Sequence, residues 1–475
     1  MVSHQLIAIL QEELLPCEAV QMGLDSVVLK AYKQSLCPHL LSQMEYITAG
    51  AEENQRAEEL LRFANSKKAE KLLSVIIAPV PSSILPFGCS ADLLDIRMGR
   101  SGPDDKIYNK YTDIRMMIPR GTTILQWKSN RSSWSSVVIY GHKKFTGGIG
   151  DEDEEQPENN EKWREYFIGD PNEATKVVCM DKLNGEAAHI SCRYIDDQFY
   201  LIVGSKNVHM LIRGTNDIDL YEGSRYEYAK AIARTVCNTL TSLDAWKRHL
   251  LLSFLHHTRC TLVGEILQVK NQHIVNLSHL TKPEVVIISL TPTYTGCQGK
   301  SLLSMPPHRL LDLCHALGLH TASYTIISVA QAMDQKEHVR KKKDSEGEVF
   351  YYLDKNEDTI GLVKVKTVWY VILRALREKA VYSFTAAKKK SSRWDISDCI
   401  KSTHKRFTEI QKWLKFSDKY LQSWQNLAGN FLHWLNDEIK TSKEEPGKIR
   451  PAFPVIWNRF LRTTNQSDQI ELKFK

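Results

Sequence analysis

The stretch that most constrains this chain is Val177-Val-Cys-Met-Asp-Lys-Leu-Asn-Gly-Glu-Ala-Ala-His189. An apolar run climbs to Lys182, Asn184 and Gly185 follow, and the chain turns apolar again. That pattern predicts a strand, a tight connection with Gly185 supplying freedom at the turn, and a second strand. It holds Lys182 at the mouth of a sheet. A lysine there is either an ordinary solvated turn residue or a nucleophile. The second role requires loss of a proton from a group whose unperturbed pKa is about 10.4. A partly desolvated pocket or nearby cations would assist that loss.

The 475-residue chain is long enough for roughly two to four domains and a sizeable core. Its 42% hydrophobic and 25% charged residues fit a globular protein, and the net charge of +7 is compatible with a polyanionic partner without requiring one. No Cys-x-x-Cys pair occurs among the ten cysteines, so reduced thiols are expected. No signal-peptide pattern and no membrane-length apolar run is seen, and a cytoplasmic or nuclear protein without a membrane partner is expected.

Residues 1–80 are expected to be a helical region, from the periodicity of His4–Leu15 and Ala57–Ile77. After a Pro-rich junction, residues 81–372 are strand-rich, with the runs Met116–Leu125, Ser136–Tyr140, Phe199–Val203, Cys260–Leu267 and Val285–Leu290. Helices are expected at 226–240, 245–256 and 306–334, and residues 373–475 form a helical C-terminal domain. Its tryptophans Trp394, Trp413, Trp424 and Trp434 serve as core or as base-stacking platforms. The acidic run near 151–161 reads as a solvated insertion, with a metal site as the alternative.

Several later residues carry possible chemistry. Glu265 interrupts an apolar strand, so it either faces an edge or enters a polar site. Lys336–Lys343 is an exposed loop or a phosphate-facing patch. Glu346 sits at a strand start. Lys364 and Lys366 lie two apart on a strand and share a face, which is either a wet face or a phosphate clamp.

Taken in order, Lys-x-Asn-Gly, Gly-Ser-Lys-Asn, the acid in an apolar strand, Glu-Gly-x-Val and Val-Lys-Val-Lys-x-x-x-Tyr resemble the motifs of the covalent nucleotidyltransferase superfamily. Polynucleotide ligases and mRNA-capping enzymes belong to it. The nearest likeness is to phage-type and tRNA-repair-type ATP-dependent RNA ligases, and it spans about residues 110 to 375. The resemblance implies an α+β fold: a mixed, mainly antiparallel, ATP-grasp-like two-sheet core flanked by N-terminal and C-terminal helical regions.

The same resemblance implies roles. Lys182 would become adenylylated, with Asn184 and Gly185 completing its motif. Ser205, Lys206 and Glu265 would contact the nucleoside. Glu346 would be linked to the metal, and Lys364 and Lys366 to the phosphates. Upstream, Pro119-Arg-Gly121 and Lys143-Lys-Phe145 resemble elements that would make Arg120 and Lys144 pyrophosphate contacts. The implied activity is ATP-dependent sealing of RNA 5′-phosphate and 3′-hydroxyl ends, with tRNA as a candidate substrate. It would run through lysyl-AMP and an RNA-adenylate, with Mg²⁺ or Mn²⁺. One departure stands out: Asn184 occupies a position where most of the superfamily has Asp, so an anionic contact is lost. The alternatives are an inactive ligase-like RNA-binding or scaffold protein, and a capping guanylyltransferase or DNA ligase.

Overall fold

The computed structural model describes residues 50–99, 104–130, 132–147, 162–196, 198–292, 301–389 and 395–474. The expected helix at 4–15, the acidic run at 151–161 and Trp394 lie outside the described residues. What is described is an α+β chain with mainly antiparallel sheets and a helical C-terminal region.

Three antiparallel sheets carry the fold. The first runs in the order β1 (Leu73–Pro79), β2 (Ser90–Met98), β3 (Arg120–Lys128), β4 (Ser133–His142). The second has five strands: β10 (Glu284–Thr291), β9 (Thr261–Leu267), β6 (Glu186–Ile195), β7 (Gln198–Ser205) and β8 (His209–Ile212). The third is β11 (Tyr324–Ser328), β5 (Lys176–Asp181), β12 (Gly347–Leu353), β13 (Thr359–Lys366). The expected two-sheet core therefore gains a further four-stranded sheet, whose β4 leans on the second one. Arg193 donates to the Val137 carbonyl at 2.8 Å, and the Tyr140 N–H donates to Thr261 Oγ1 at 2.9 Å.

Helix α1 (Gly50–Ala69) covers the first sheet, packing Ala57, Leu60 and Ala64 onto Val75, Ile96, Ile124 and Val137. The helical pattern expected through Ile77 stops at Ala69, because Leu-Ser-Val-Ile-Ile-Ala-Pro is β-branched and pairs along its whole length with β2. A boundary at 80 thus falls between two paired strands. Short helices α2 (Asp104–Lys110) and α3 (Thr112–Met117) precede β3, so Met116 is helical rather than the start of that strand.

Helices α4 (Glu227–Ser242) and α5 (Ala245–Thr258) agree with the sequence reading and bury Ile232, Val236, Leu251 and Leu255 in the main core. The expected 306–334 helix is broken. Helix α6 (Pro307–Leu317) ends at Gly318 in the left-handed region, and Tyr-Thr-Ile-Ile-Ser forms β11 at the edge of the third sheet. Helix α7 (Ala332–Lys341) then takes up most of the basic run expected as a loop or phosphate patch. Arg340 there is buried against the Lys366 carbonyl and Lys342 pairs with Glu348, so this run supports the sheet and is not part of the cavity described below.

The C-terminal region comprises α8 (Val368–Lys389), α9 (Ile396–Leu414), α10 (Asp418–Lys440) and α11 (Ile449–Thr463), which share one aromatic core. Trp424 is fully buried and stacks on Trp457 at 6.3 Å, while Trp434 packs at the margin of that core. Residue 372 lies inside α8, which continues the chain from β13 with a single residue between them. That residue, Thr367, caps the helix by accepting from the Tyr370 N–H at 2.9 Å. Among the described residues no helix is long and apolar enough to cross a membrane.

Candidate active site

The Lys182 connection is not a hairpin. Strand β5 belongs to the third sheet and β6 to the second, so residues 182–185 carry the chain from one sheet to the other. Lys182 therefore stands in the cleft between the two sheets. Its backbone N–H donates to the Gly347 carbonyl at 2.8 Å, which fixes the lysine at the strand end.

Strand register explains what surrounds it. Met180 pairs with Val349, and Val349 pairs with Lys364. One row further, Lys182 lies beside Gly347, and Gly347 pairs with Lys366. Side chains in such rows share a face, so Lys182, Lys364 and Lys366 converge on one surface of the third sheet. Val363 and Val365 point the other way, into a small core with Val177, Cys179 and Phe350. Gly347 is required here: its φ is +137°, and a Cβ would come within 2.0 Å of the Val365 carbonyl oxygen. Gly185 is required for a different reason from the one expected. It does not take a positive φ; the Ile266 carbonyl oxygen approaches to 2.3 Å of where a Cβ would stand.

Around Lys182 lies a cavity of about 430 Å³. Of the residues named from the sequence, Arg120, Lys182, Gly185, Lys206, Glu265, Glu346, Lys364 and Lys366 line it. Asn184 is buried directly behind. Ser205 and Lys144 are not among the lining residues. Lys144 is buried in an ion pair with Asp105, and Ser205 uses its backbone N–H on the Val208 carbonyl, where β7 turns into β8. Tyr370, the tyrosine that closes the Val-Lys-Val-Lys-x-x-x-Tyr motif, also faces the cavity, as do Arg374 and Arg377, which sequence reasoning missed. Their spacing along α8 is i, i+4, i+7, a single helical face, and that signal was present in the sequence. His189 and His273 were missed too, and nothing in their sequence context marks them.

The centre of the cavity is a polar network. Glu346 Oε1 pairs with Lys182 Nζ at 2.7 Å, and Glu346 Oε2 accepts from Asn184 Nδ2 at 2.6 Å. The other end of Asn184 accepts from the Ile274 and Val275 N–H groups, each at 2.9 Å. One residue thus satisfies a carboxylate on one side and two backbone donors on the other. An amide does both at any pH: the carbonyl oxygen faces the donors and the NH₂ faces the acid. The anionic contact expected to be lost at Asn184 is replaced by a hydrogen bond to an anion.

Glu265, on β9, accepts from the Gly185 N–H at 2.9 Å, so the polar-site reading of this acid is correct. Burial, with the Glu346 carboxylate, pushes it up to about 7, against the pull of Lys182. Glu346 is also pushed up by burial, but Lys182 and Lys366 more than offset that and hold it below the ordinary carboxylate value. For Lys182 the outcome is opposite to expectation. Burial lowers its pKa, yet the Glu346 and Glu265 carboxylates outweigh burial, so it lies above the ordinary lysine value. The resting lysine is a clamped ammonium. Lys364 lies 5.3 Å from the Phe145 ring centre and Lys366 5.9 Å from that of Tyr370; both are buried. Lys206 contacts Asp104 and is lowered by burial and by Arg120.

A hard divalent cation bound by one or two carboxylates together with substrate phosphates would fit Glu346 and Glu265. Among the described residues no group of three or more His, Cys, Asp or Glu could hold a metal by itself, so a site made of protein alone is not what this cavity offers.

A family model described as a domain of unknown function (DUF7920) matches residues 162–377, a span that begins just before β5 and ends within α8. The chain matches no curated protein. Two solved structures, both point mutants of the Naegleria gruberi RNA ligase with ATP and Mn, align over 63% of this chain and 98% of theirs, at 11% identity and a TM-score of 0.28. A likeness at that level supports nothing about activity.

Proposed function

We propose that this chain is an ATP-dependent nucleotidyltransferase of the RNA-ligase type, with Lys182 as the covalently adenylylated residue. One observation carries the reading: separate strands and a helix bring Lys182, the carboxylates Glu265 and Glu346 and several cations into one cavity, whose wall also holds Asp181 and Glu186, with the lysine fixed at a strand end. Charged groups gathered this way suit phosphoryl transfer, where catalysis rests on positioning and charge neutralisation.

In the first step Lys182 Nζ attacks the α-phosphorus of ATP. A P–N bond forms, the bond to the pyrophosphate oxygen breaks, and pyrophosphate leaves with the electron pair. The lysine first gives up a proton to solvent. Because Glu346 holds that proton in place, activation requires the carboxylate to turn to other partners, and Asn184 and Lys366 are the neighbours that offer them. Lys364, Lys366 and Arg120 neutralise the phosphates, with Arg374 and Arg377 adding charge from α8. A bound Mg²⁺ or Mn²⁺ supplies further positive charge beside Glu346 and the phosphates. Next an RNA 5′-phosphate oxygen attacks the same phosphorus, the P–N bond breaks and the lysine regains a proton. Finally an RNA 3′-hydroxyl oxygen attacks the phosphorus of the 5′-phosphate and gives its proton to solvent; the P–O bond to AMP breaks, AMP leaves with the electron pair, and a phosphodiester remains.

The binding-only alternative takes Asn184 as a residue of lost chemistry; its bonds to Glu346 and to two backbone N–H groups give it a structural role under either reading. The test is incubation with labelled ATP or GTP and Mg²⁺, followed by denaturing electrophoresis. An ATP-dependent covalent band is expected, and a band with GTP alone would move the reading to capping-type chemistry. No band from folded protein would favour the binding-only alternative.

A further inference from the structure

Beside the cavity lies a second, open groove of about 870 Å³, walled by α8, α9 and the start of α11. Arg374 and Arg377 line both, so groove and cavity meet along one face of α8. Arg406, Lys412 and Trp413 enter from α9 and Arg450 from α11. With Lys379, the groove presents six cations against the two carboxylates Glu378 and Glu409. We propose that this groove is the track along which a single RNA strand enters the Lys182 cavity.

Three features favour an RNA strand over another polyanion. The first is continuity: a strand laid in the groove reaches the nucleotide cavity past Arg374 and Arg377, which line both spaces. Arg377 is itself buried, donating to the His273 carbonyl at 3.2 Å and to Glu378 at 2.8 Å, so it forms a fixed threshold between the two spaces. The second is the excess of cations, four of them guanidinium groups whose planar fork suits phosphodiesters: Arg377 and Arg450 pair with Glu378 and Arg406 with Glu409, so a phosphodiester would compete for forks that two carboxylates share among three arginines. The third is Trp413. Unlike Trp424 it is only partly buried, and the Arg406 guanidinium lies 4.6 Å from its ring centre. A cationic groove with an aromatic ring in its wall is the arrangement that single-stranded nucleic acids use; here Arg406 covers the Trp413 ring, so a base would stack on the guanidinium–indole pair. The basic groove beside α4 lacks such a ring and shares no residue with the cavity.

The inference rests on the RNA-ligase reading for what happens at the strand's end, and the experiment separates the two. Binding of a labelled 5′-phosphorylated single-stranded RNA is measured against salt for the full chain, for Lys412→Glu with Arg450→Ala, and for Lys282→Glu in the α4 groove. Protein–AMP formation is followed in parallel. The double variant is expected to bind roughly tenfold more weakly at low salt, with the slope of log affinity against log salt reduced by about 0.7 per cation removed. It should form protein–AMP at the wild-type rate, and Lys282→Glu should leave binding unchanged. An unchanged slope in the double variant, or an equal loss in Lys282→Glu, would overturn the track. So would polyglutamate competing as well as RNA of equal charge. Absence of protein–AMP in the wild type, with the groove variants still losing RNA, would overturn the ligase reading and leave the groove standing.

Discussion

Placing an acid at position 184 should damage this protein. In Asn184→Asp the two backbone N–H groups of Ile274 and Val275 keep an acceptor, but the NH₂ that donates to Glu346 at 2.6 Å becomes a carboxylate oxygen. Two unit charges at that separation repel by about 6 kcal/mol in an effective dielectric of about 20, which bounds the effect. The pair escapes most of it by sharing a proton, which splits its two titrations by about 3 units, or about 4 kcal/mol. Lys182, 2.7 Å from the other Glu346 oxygen, offsets part of this. We expect a loss of about 2–4 kcal/mol at pH 8, within the range for disrupted buried polar networks. The sign with pH follows. The pair's upper pKa in the folded state is raised above the unfolded value, so stability is present at low pH and is lost as pH rises through the raised value. Urea unfolding at pH 5.5 and pH 8 reads this: the variant's midpoint should approach wild type at the lower pH and fall well below it at the higher. Equal midpoints at pH 8 would refute the account of Asn184 as the donor that Glu346 requires.

Further expectations concern the cavity's charges. Lys364→Ala or Lys366→Ala should lower the rate of protein–AMP formation by about 10²–10³ while circular dichroism stays native; wild-type rates in both would remove the phosphate clamp. Glu265 is held above its unfolded pKa, up to about 7, so its contribution to stability is present below the ordinary carboxylate range and lost as pH rises through about 7. Glu265→Gln should therefore flatten the decline in stability between pH 5 and 8, and a decline as steep as wild type would mean that Glu265 is not the titrating group. Because Lys182 is held above the ordinary lysine value by Glu346 and Glu265, Glu265→Gln should also move the pH profile of protein–AMP formation to lower pH.

Much of this site was legible in the sequence for a simple reason. Strand alternation tells which side chains share a face, and so Lys364 and Lys366 were readable as a pair. The acid inside the Cys260–Leu267 run was readable as an anomaly, because burying an acid demands a partner; its partner is the Gly185 N–H. What was not legible depended on pairing between distant segments. Nothing local shows that β5 and β6 belong to different sheets, which is what makes a turn lysine into a cleft lysine. The protonation of Lys182 was misjudged for the same cause: Glu346 is 164 positions away in sequence and 2.7 Å away in space. Leu73–Pro79 was misassigned because a β-branched run directly after a helix continues its apolar count. Lys144 sat in a plausible motif, and only the packing of α2 shows that Asp105 occupies its ammonium.

The most direct test of the central claim is peptide mapping by mass spectrometry after incubation with ATP and Mg²⁺. The account expects the mass of one AMP moiety on the peptide containing Lys182, and no modified peptide in Lys182→Ala protein. AMP on another lysine, or modification that persists in Lys182→Ala, would contradict it.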